Sequence, residues 1–138
     1  MNKTTESDIF KLIKKAVINL KLNCFLTRIE SGLTLNGITD LYVVYHSKLI
    51  NKSISFWLEL KANNFNNCNV SKYQFNWILK HNKAGGVAYI LNKPLKERGL
   101  KLYSVEPCSV LTEQLSVDYS VTGIANVFEW VAKKHCVA

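Results

Sequence analysis

The sequence has no apolar run long enough to cross a bilayer. Stretches such as Leu41 to Tyr45 and Val87 to Leu91 fall far short of the roughly 20 residues that a helical span needs. It is also poor in acid, with 10 Asp and Glu against 18 Lys and Arg, and the net charge of +8 favours a polyanionic partner without naming a chemistry. There is no CxxC pair and no histidine at zinc-finger spacing, so Cys24, Cys68, Cys108 and Cys136 read as free structural or incidental thiols rather than disulfides or metal ligands. His46, His81 and His135 form no HExxH, no GxSxG elbow is present, and no Lys-Ser or Lys-Thr follows Gly85-Gly86 to make a P-loop. The first residues offer neither an apolar signal region nor a small-residue cleavage site, which predicts a cytoplasmic location and no membrane association.

What is present suffices for a buried core. The 138 residues are 48% hydrophobic and 20% charged, the length and composition expected of one α/β domain without repeats or linkers. Thr5, with Asp8 three positions on, predicts a helix start, and Ile9, Ile13, Ala16, Val17 and Leu20 give that helix an apolar face opposite Lys11, Lys14 and Lys15. A strand follows over Cys24 to Glu30, then a loop over Ser31 to Gly37. Asp40 to His46 and Ser53 to Lys61 predict a hairpin. Asn63 to Asn69 reads as a loop, and Ser71 with Gln74 as a capping box opening a helix that ends at Gly85-Gly86. Val87 to Leu91 and Leu100 to Val105 read as strands, and Ile124 to Lys134 as a closing helix with Ile124, Val127, Phe128 and Val131 on one side. Residues 106 to 123 carry no clear signal.

The chemistry concentrates in one strand. Alternation along Ile54 to Lys61 sends Ile54, Phe56, Leu58 and Leu60 to one face and leaves Glu59 and Lys61 together on the other. Charges at the end of so apolar a strand need each other or an external partner such as a metal ion or phosphate. Asp40 opens the preceding strand, and a staggered hairpin brings it within one cation's reach of Glu59. Two carboxylates holding Mg²⁺ or Mn²⁺ beside a lysine suit phosphodiester hydrolysis; an ion pair at a strand end is the alternative that needs no catalysis.

Gly37-Ile38-Thr39-Asp40-Leu41-Tyr42, then Trp57-Leu58-Glu59-Leu60-Lys61-Ala62, then Ser71-Lys72-Tyr73-Gln74, in this order, resemble the PD-(D/E)xK nuclease superfamily. Within it the chain is similar to the small Holliday junction resolvases and VRR-NUC nucleases of phages and archaea. The resemblance covers residues 6 to 91. It implies a restriction-endonuclease-like α-β-β-β-α-β core with a central mixed sheet flanked by helices, residues 93 to 138 being an extension of it. It further implies Asp40, Glu59 and the Leu60 carbonyl as ligands of Mg²⁺, with Mn²⁺ able to substitute, and Lys61 as the catalytic lysine.

Gln74 matches a glutamine that meets water, metal or phosphate, although a capping role explains it equally well. Glu6 matches an acidic residue placed near the metal in many relatives, and is also what a helix dipole favours in a first turn. Arg28 and Ser31 match positions expected to contact phosphate, with a solvated strand-end arginine as the plainer reading. Thr39 departs from the motif, which has proline there; proline shapes the backbone and bears no ligand atom.

Lys72, Lys80, Lys83, Lys93, Lys96, Arg98 and Lys101, with Tyr73 and Trp77 among them, read either as a surface for a DNA backbone or as ordinary solvated cations. The expected activity is that of a structure-specific endonuclease for four-way or other branched DNA in recombination or repair. A homodimer would present two equivalent sites to such a junction, its surface drawn from Ile124 to Lys134 or Val87 to Leu91. The alternatives are a nuclease of repair, flap or restriction type, and a nucleic-acid-binding protein with an inert polar network.

Overall fold

A computed structural model describes residues 4 to 29 and 41 to 136. The elements run α1 (Glu6–Asn19), β1 (Cys24–Arg28), β2 (Leu41–Ser47), β3 (Lys52–Lys61), α2 (Lys72–Lys83), β4 (Ala88–Asn92), β5 (Gly99–Glu106), β6 (Val110–Asp118) and α3 (Val121–Cys136), with a 3₁₀ turn at Pro107–Ser109. All six strands form one sheet in the order β1-β2-β3-β4-β5-β6. Among the described residues only the β3–β4 pair is parallel. Parallel neighbours require a crossover, and α2 supplies it. The expected α-β-β-β-α-β order and mixed sheet with flanking helices are therefore what the chain adopts.

Local chemistry accounts for the boundaries. Thr5 and Asp8 close a capping box at α1, and Ser71 and Gln74 close another at α2. Beyond α2, Gly85 takes φ +101°, the left-handed conformation that glycine adopts without a Cβ penalty. The hairpin turn from β2 to β3 ends at Asn51, φ +52°, a residue whose short amide tolerates that region.

One face of the sheet packs against α1 and α3. Ile9, Ile13 and Ala16 of α1 and Ile124, Val127, Phe128 and Val131 of α3 are buried in the same cluster as Val43, Phe56, Leu58 and Leu60. Phe128 sets its ring against Phe56 at 5.7 Å and Tyr45 at 5.5 Å, which adds directional aromatic contacts to the area buried. A smaller cluster of Cys68, Val70, Phe75, Ile78, Ala88, Ile90 and Val105 lies under α2 on the other face.

Three expectations change. Residues 110 to 118 form β6, an edge strand whose exposed residues are polar apart from Val110. The two segments expected to offer a dimer surface face inward instead: the apolar residues of α3 sit in the core, and every residue of β4 is buried. Lys93 is neither a solvated cation nor part of a DNA track, and Lys101 is engaged in ion pairs at the surface. Lys93 is buried, its Nζ donating to the carbonyls of Pro94 at 2.7 Å and Glu97, while Lys101 bridges Glu97 at 3.5 Å and Glu113 at 3.3 Å. All four cysteines are unpaired, and no helix among the described residues is long and apolar enough to cross a membrane.

Candidate active site

The site is built on the C-terminal end of β3, the strand flanked by β2 on one side and β4 on the other. Its alternation follows the sequence: Ile54, Phe56, Leu58 and Leu60 enter the main core, while Trp57 packs with the cluster under α2. Glu59 and Lys61 share that second face. Lys61 Nζ lies 3.6 Å from Glu59 Oε2, with the glutamate 1% and the lysine 12% exposed. Placing an ammonium beside a carboxylate withdrawn from water offsets part of the desolvation cost and fixes both side chains at one spot.

The chain leaving β3 is anchored to the end of β4. Lys93 N–H donates to the Lys61 carbonyl at 2.9 Å. Asn63 N–H donates to Asn92 Oδ1 at 3.2 Å, and Asn92 Nδ2 donates back to the Asn63 carbonyl at 3.0 Å. Asn63 Nδ2 in turn donates to the Cys68 carbonyl at 2.8 Å, folding the loop after β3 back on itself. Sequence reasoning missed Asn63 and Asn92. The available signal was an asparagine at the end of the otherwise apolar strand AYILN, since a buried amide there requires hydrogen-bond partners.

Cys68 is buried beside this anchor, and burial pushes its thiol up to about 11, with the Lys61 charge acting weakly the other way. It is a neutral packing group at physiological pH, not a nucleophile.

The other expected residues are dispersed. Asp40 and Ser31 lie outside the described residues; Leu41, which follows Asp40 in the chain, pairs with Leu58, which precedes Glu59. Gln74 has its main-chain N–H and Oε1 committed to the Ser71 cap, at 3.2 and 3.0 Å. Lys72 is the exposed first residue of α2. Arg28 ends β1, its guanidinium 4.8 Å from the Phe10 ring, and so sits on the α1 side of the sheet, opposite Glu59. Glu6 is exposed in the first turn of α1, where the helix dipole favours a carboxylate.

The donors expected at the strand end, the Glu59 carboxylate and the Leu60 main-chain carbonyl, are both oxygens. Oxygen donors suit a hard cation such as Mg²⁺ or Mn²⁺ and not a thiolate-bound metal. Among the described residues no group of three or more His, Cys, Asp or Glu surrounds a common point. The set fits a hard ion in kind, and its completion requires a further carboxylate.

No family model matches the chain, and no curated protein matches it. Among solved structures it is similar to the Holliday junction resolvase Hjc of Archaeoglobus fulgidus, at 15% identity and a TM-score of 0.47, over 86% of this chain and 98% of that one.

Proposed function

We propose that this protein is a divalent-metal-dependent endonuclease that hydrolyses phosphodiester bonds in branched DNA, as a Holliday junction resolvase does, working as a homodimer in the cytoplasm. The observation that carries the reading is the Glu59–Lys61 pair, 3.6 Å apart at the buried end of the central strand. A buried ion pair contributes little net stability compared with apolar residues of similar size, so its cost calls for a use beyond folding.

Asp40 is the second carboxylate in this proposal, because the residue after it pairs one step from Glu59. Asp40, Glu59 and the Leu60 carbonyl would hold Mg²⁺ or Mn²⁺. Such an ion supplies Lewis-acid polarisation of the phosphodiester and a lowered pKa for attacking water. Lys61 orients that water or neutralises the phosphate with its ammonium, and Gln74, whose Oε1 is held in the helix cap, would reach water, metal or phosphate only through its amide nitrogen. Ser31 and Lys72 contact the DNA backbone, a role that positions the substrate without reading its sequence, whereas Arg28, expected to do the same, stands over Phe10 on the opposite face of the sheet. Two opposed cuts in a four-way junction require two such sites related by a twofold axis.

A labelled four-way junction, a duplex and a single strand, each with Mg²⁺ or EDTA, test the proposal. Metal-dependent junction cutting that disappears in Glu59→Gln while junction binding persists is the expected result. Equal cutting of plain duplex would point to a repair, flap or restriction-type nuclease. Binding without cutting in any divalent metal would leave a nucleic-acid-binding protein with an inert polar network.

A further inference from the structure

The sheet face that carries Glu59 and Lys61 is covered unevenly. Helix α2 packs over Ala88 and Ile90 of β4 and Val105 of β5. Among the described residues no helix lies over the same face of β1 and β2, since α1 and α3 occupy the other side. Register brings the residues of this open face together: Phe25 opposite Val44 opposite Ser55, and Thr27 opposite Tyr42 opposite Trp57. Phe25 is 65% exposed although it is a strand residue paired with Val44.

A row of rings runs from the open face at Tyr42 to α2. Tyr42 and Trp57 lie 4.9 Å apart, Trp57 and Trp77 5.6 Å apart, and His81 stacks on Trp77 at 4.8 Å with 11° between the planes. Tyr73, 65% exposed, stands one helical turn before Trp77 and extends the row along α2. Trp57 precedes Glu59 by two residues on the same face, a spacing of about 7 Å along a strand. The row therefore begins beside the proposed reacting group.

Charge selects the occupant. On this face and the helix beside it the cations are Lys61, Lys72, Lys80 and Lys83 against a single carboxylate, Glu59, while Arg28 and Lys52 alternate to the opposite face. Hydroxyl and imidazole groups occupy other positions of the same face, among them Thr27, Ser55 and the His46 Nδ1–Ser53 Oγ pair at 2.8 Å. A surface of aromatic rings, small hydrogen-bonding groups and cationic borders matches a strand with exposed base faces and a phosphate backbone. A duplex hides those base faces by stacking them on one another.

We infer that the open face of β1–β3, with Tyr73 and Trp77 of α2, is a stacking platform for unpaired nucleotides, which positions a single-stranded segment next to Glu59. Its bearing on catalysis rests on the nuclease reading above, and the binding surface itself does not. The DNA this protein acts on would then present unpaired nucleotides beside the cut, in a four-way junction by the opening of base pairs at the branch point.

The test is fluorescence anisotropy in EDTA, where no cutting occurs, using a labelled thymidine oligonucleotide of about 20 nucleotides and a blunt duplex of matching length. Phe25→Ala, Tyr73→Ala and Tyr42→Leu remove platform rings. Leu49→Ala alters a residue 71% exposed in the turn at the far end of β3. We expect tighter binding of the single strand than of the duplex, weakened about tenfold by each ring variant and unchanged in Leu49→Ala. The proposal is overturned if duplex and single strand bind alike and the ring variants retain wild-type affinity. It is equally overturned if Phe25→Ala or Tyr73→Ala, both at exposed positions, changes the oligomeric state and leaves single-strand affinity intact. Junction cutting with Mg²⁺, measured separately, reports on the nuclease reading, so either claim can fail while the other holds.

Discussion

Asn63 and Asn92, 29 residues apart in sequence, exchange two hydrogen bonds and so tie the segment after β3 to the end of β4. Glu59 and Lys61 sit immediately before this clasp. The carboxylate and the ammonium are thus held by main-chain anchoring on a central strand as well as by each other.

Removing the clasp is expected to act on both stability and activity. Asn92 is 2% exposed, so Asn92→Ala leaves the Asn63 N–H and carbonyl without their partner and lowers stability by roughly 1–3 kcal/mol. Urea unfolding measures the loss. Junction cutting falls as well, because Lys61 loses its fixed backbone, whereas Asn66→Ala in the same exposed loop leaves both nearly unchanged.

Lys61→Met tests the ion pair. Taking the ammonium away strands a buried carboxylate, and stability is expected to drop by about 3 kcal/mol. Glu59→Gln combined with Lys61→Met recovers much of that loss, since the buried charge is gone. A double-mutant cycle in urea checks this, and strict additivity of the two single changes would contradict it.

Alkaline pH should weaken the fold. Burial raises Cys68 from 9.0 to about 11 and Tyr89 from 10.0 to about 12. Both groups ionise more readily in the unfolded chain, so the stability they contribute is complete below pH 9 and is lost as pH climbs from there through the folded values. Unfolding measured at pH 8 and pH 10.5 should show the decline, and Cys68→Ala should make its onset shallower.

Sequence patterning reveals the fold wherever one rule operates locally. Alternation exposes β3 and separates Leu58 and Leu60 from Glu59 and Lys61, while capping boxes mark the starts of α1 and α2. Strand β6 escapes because it is an edge with a half-solvated face, and its register with β5 shifts at Leu102/Tyr103. The turn before it is equally unmarked: Cys108 and Ser109 take positive φ where glycine or asparagine would have announced it. At the site, the Glu59–Lys61 pair is legible because two residues of one strand must share a face. The Asn63–Asn92 clasp is not, because its partners belong to different elements and one lies in a segment that reads only as an asparagine-rich loop. The inward orientation of β4 and α3 was likewise hidden, since apolar content alone does not distinguish a core face from a docking face.

The most direct measurement is the anomalous signal from a crystal soaked in Mn²⁺. The account requires one manganese peak between the carboxylates of Asp40 and Glu59, with the Lys61 ammonium alongside, and the loss of that peak in Glu59→Gln. A crystal with no peak at the end of β3, or with manganese bound elsewhere and unaffected by Glu59→Gln, would contradict it.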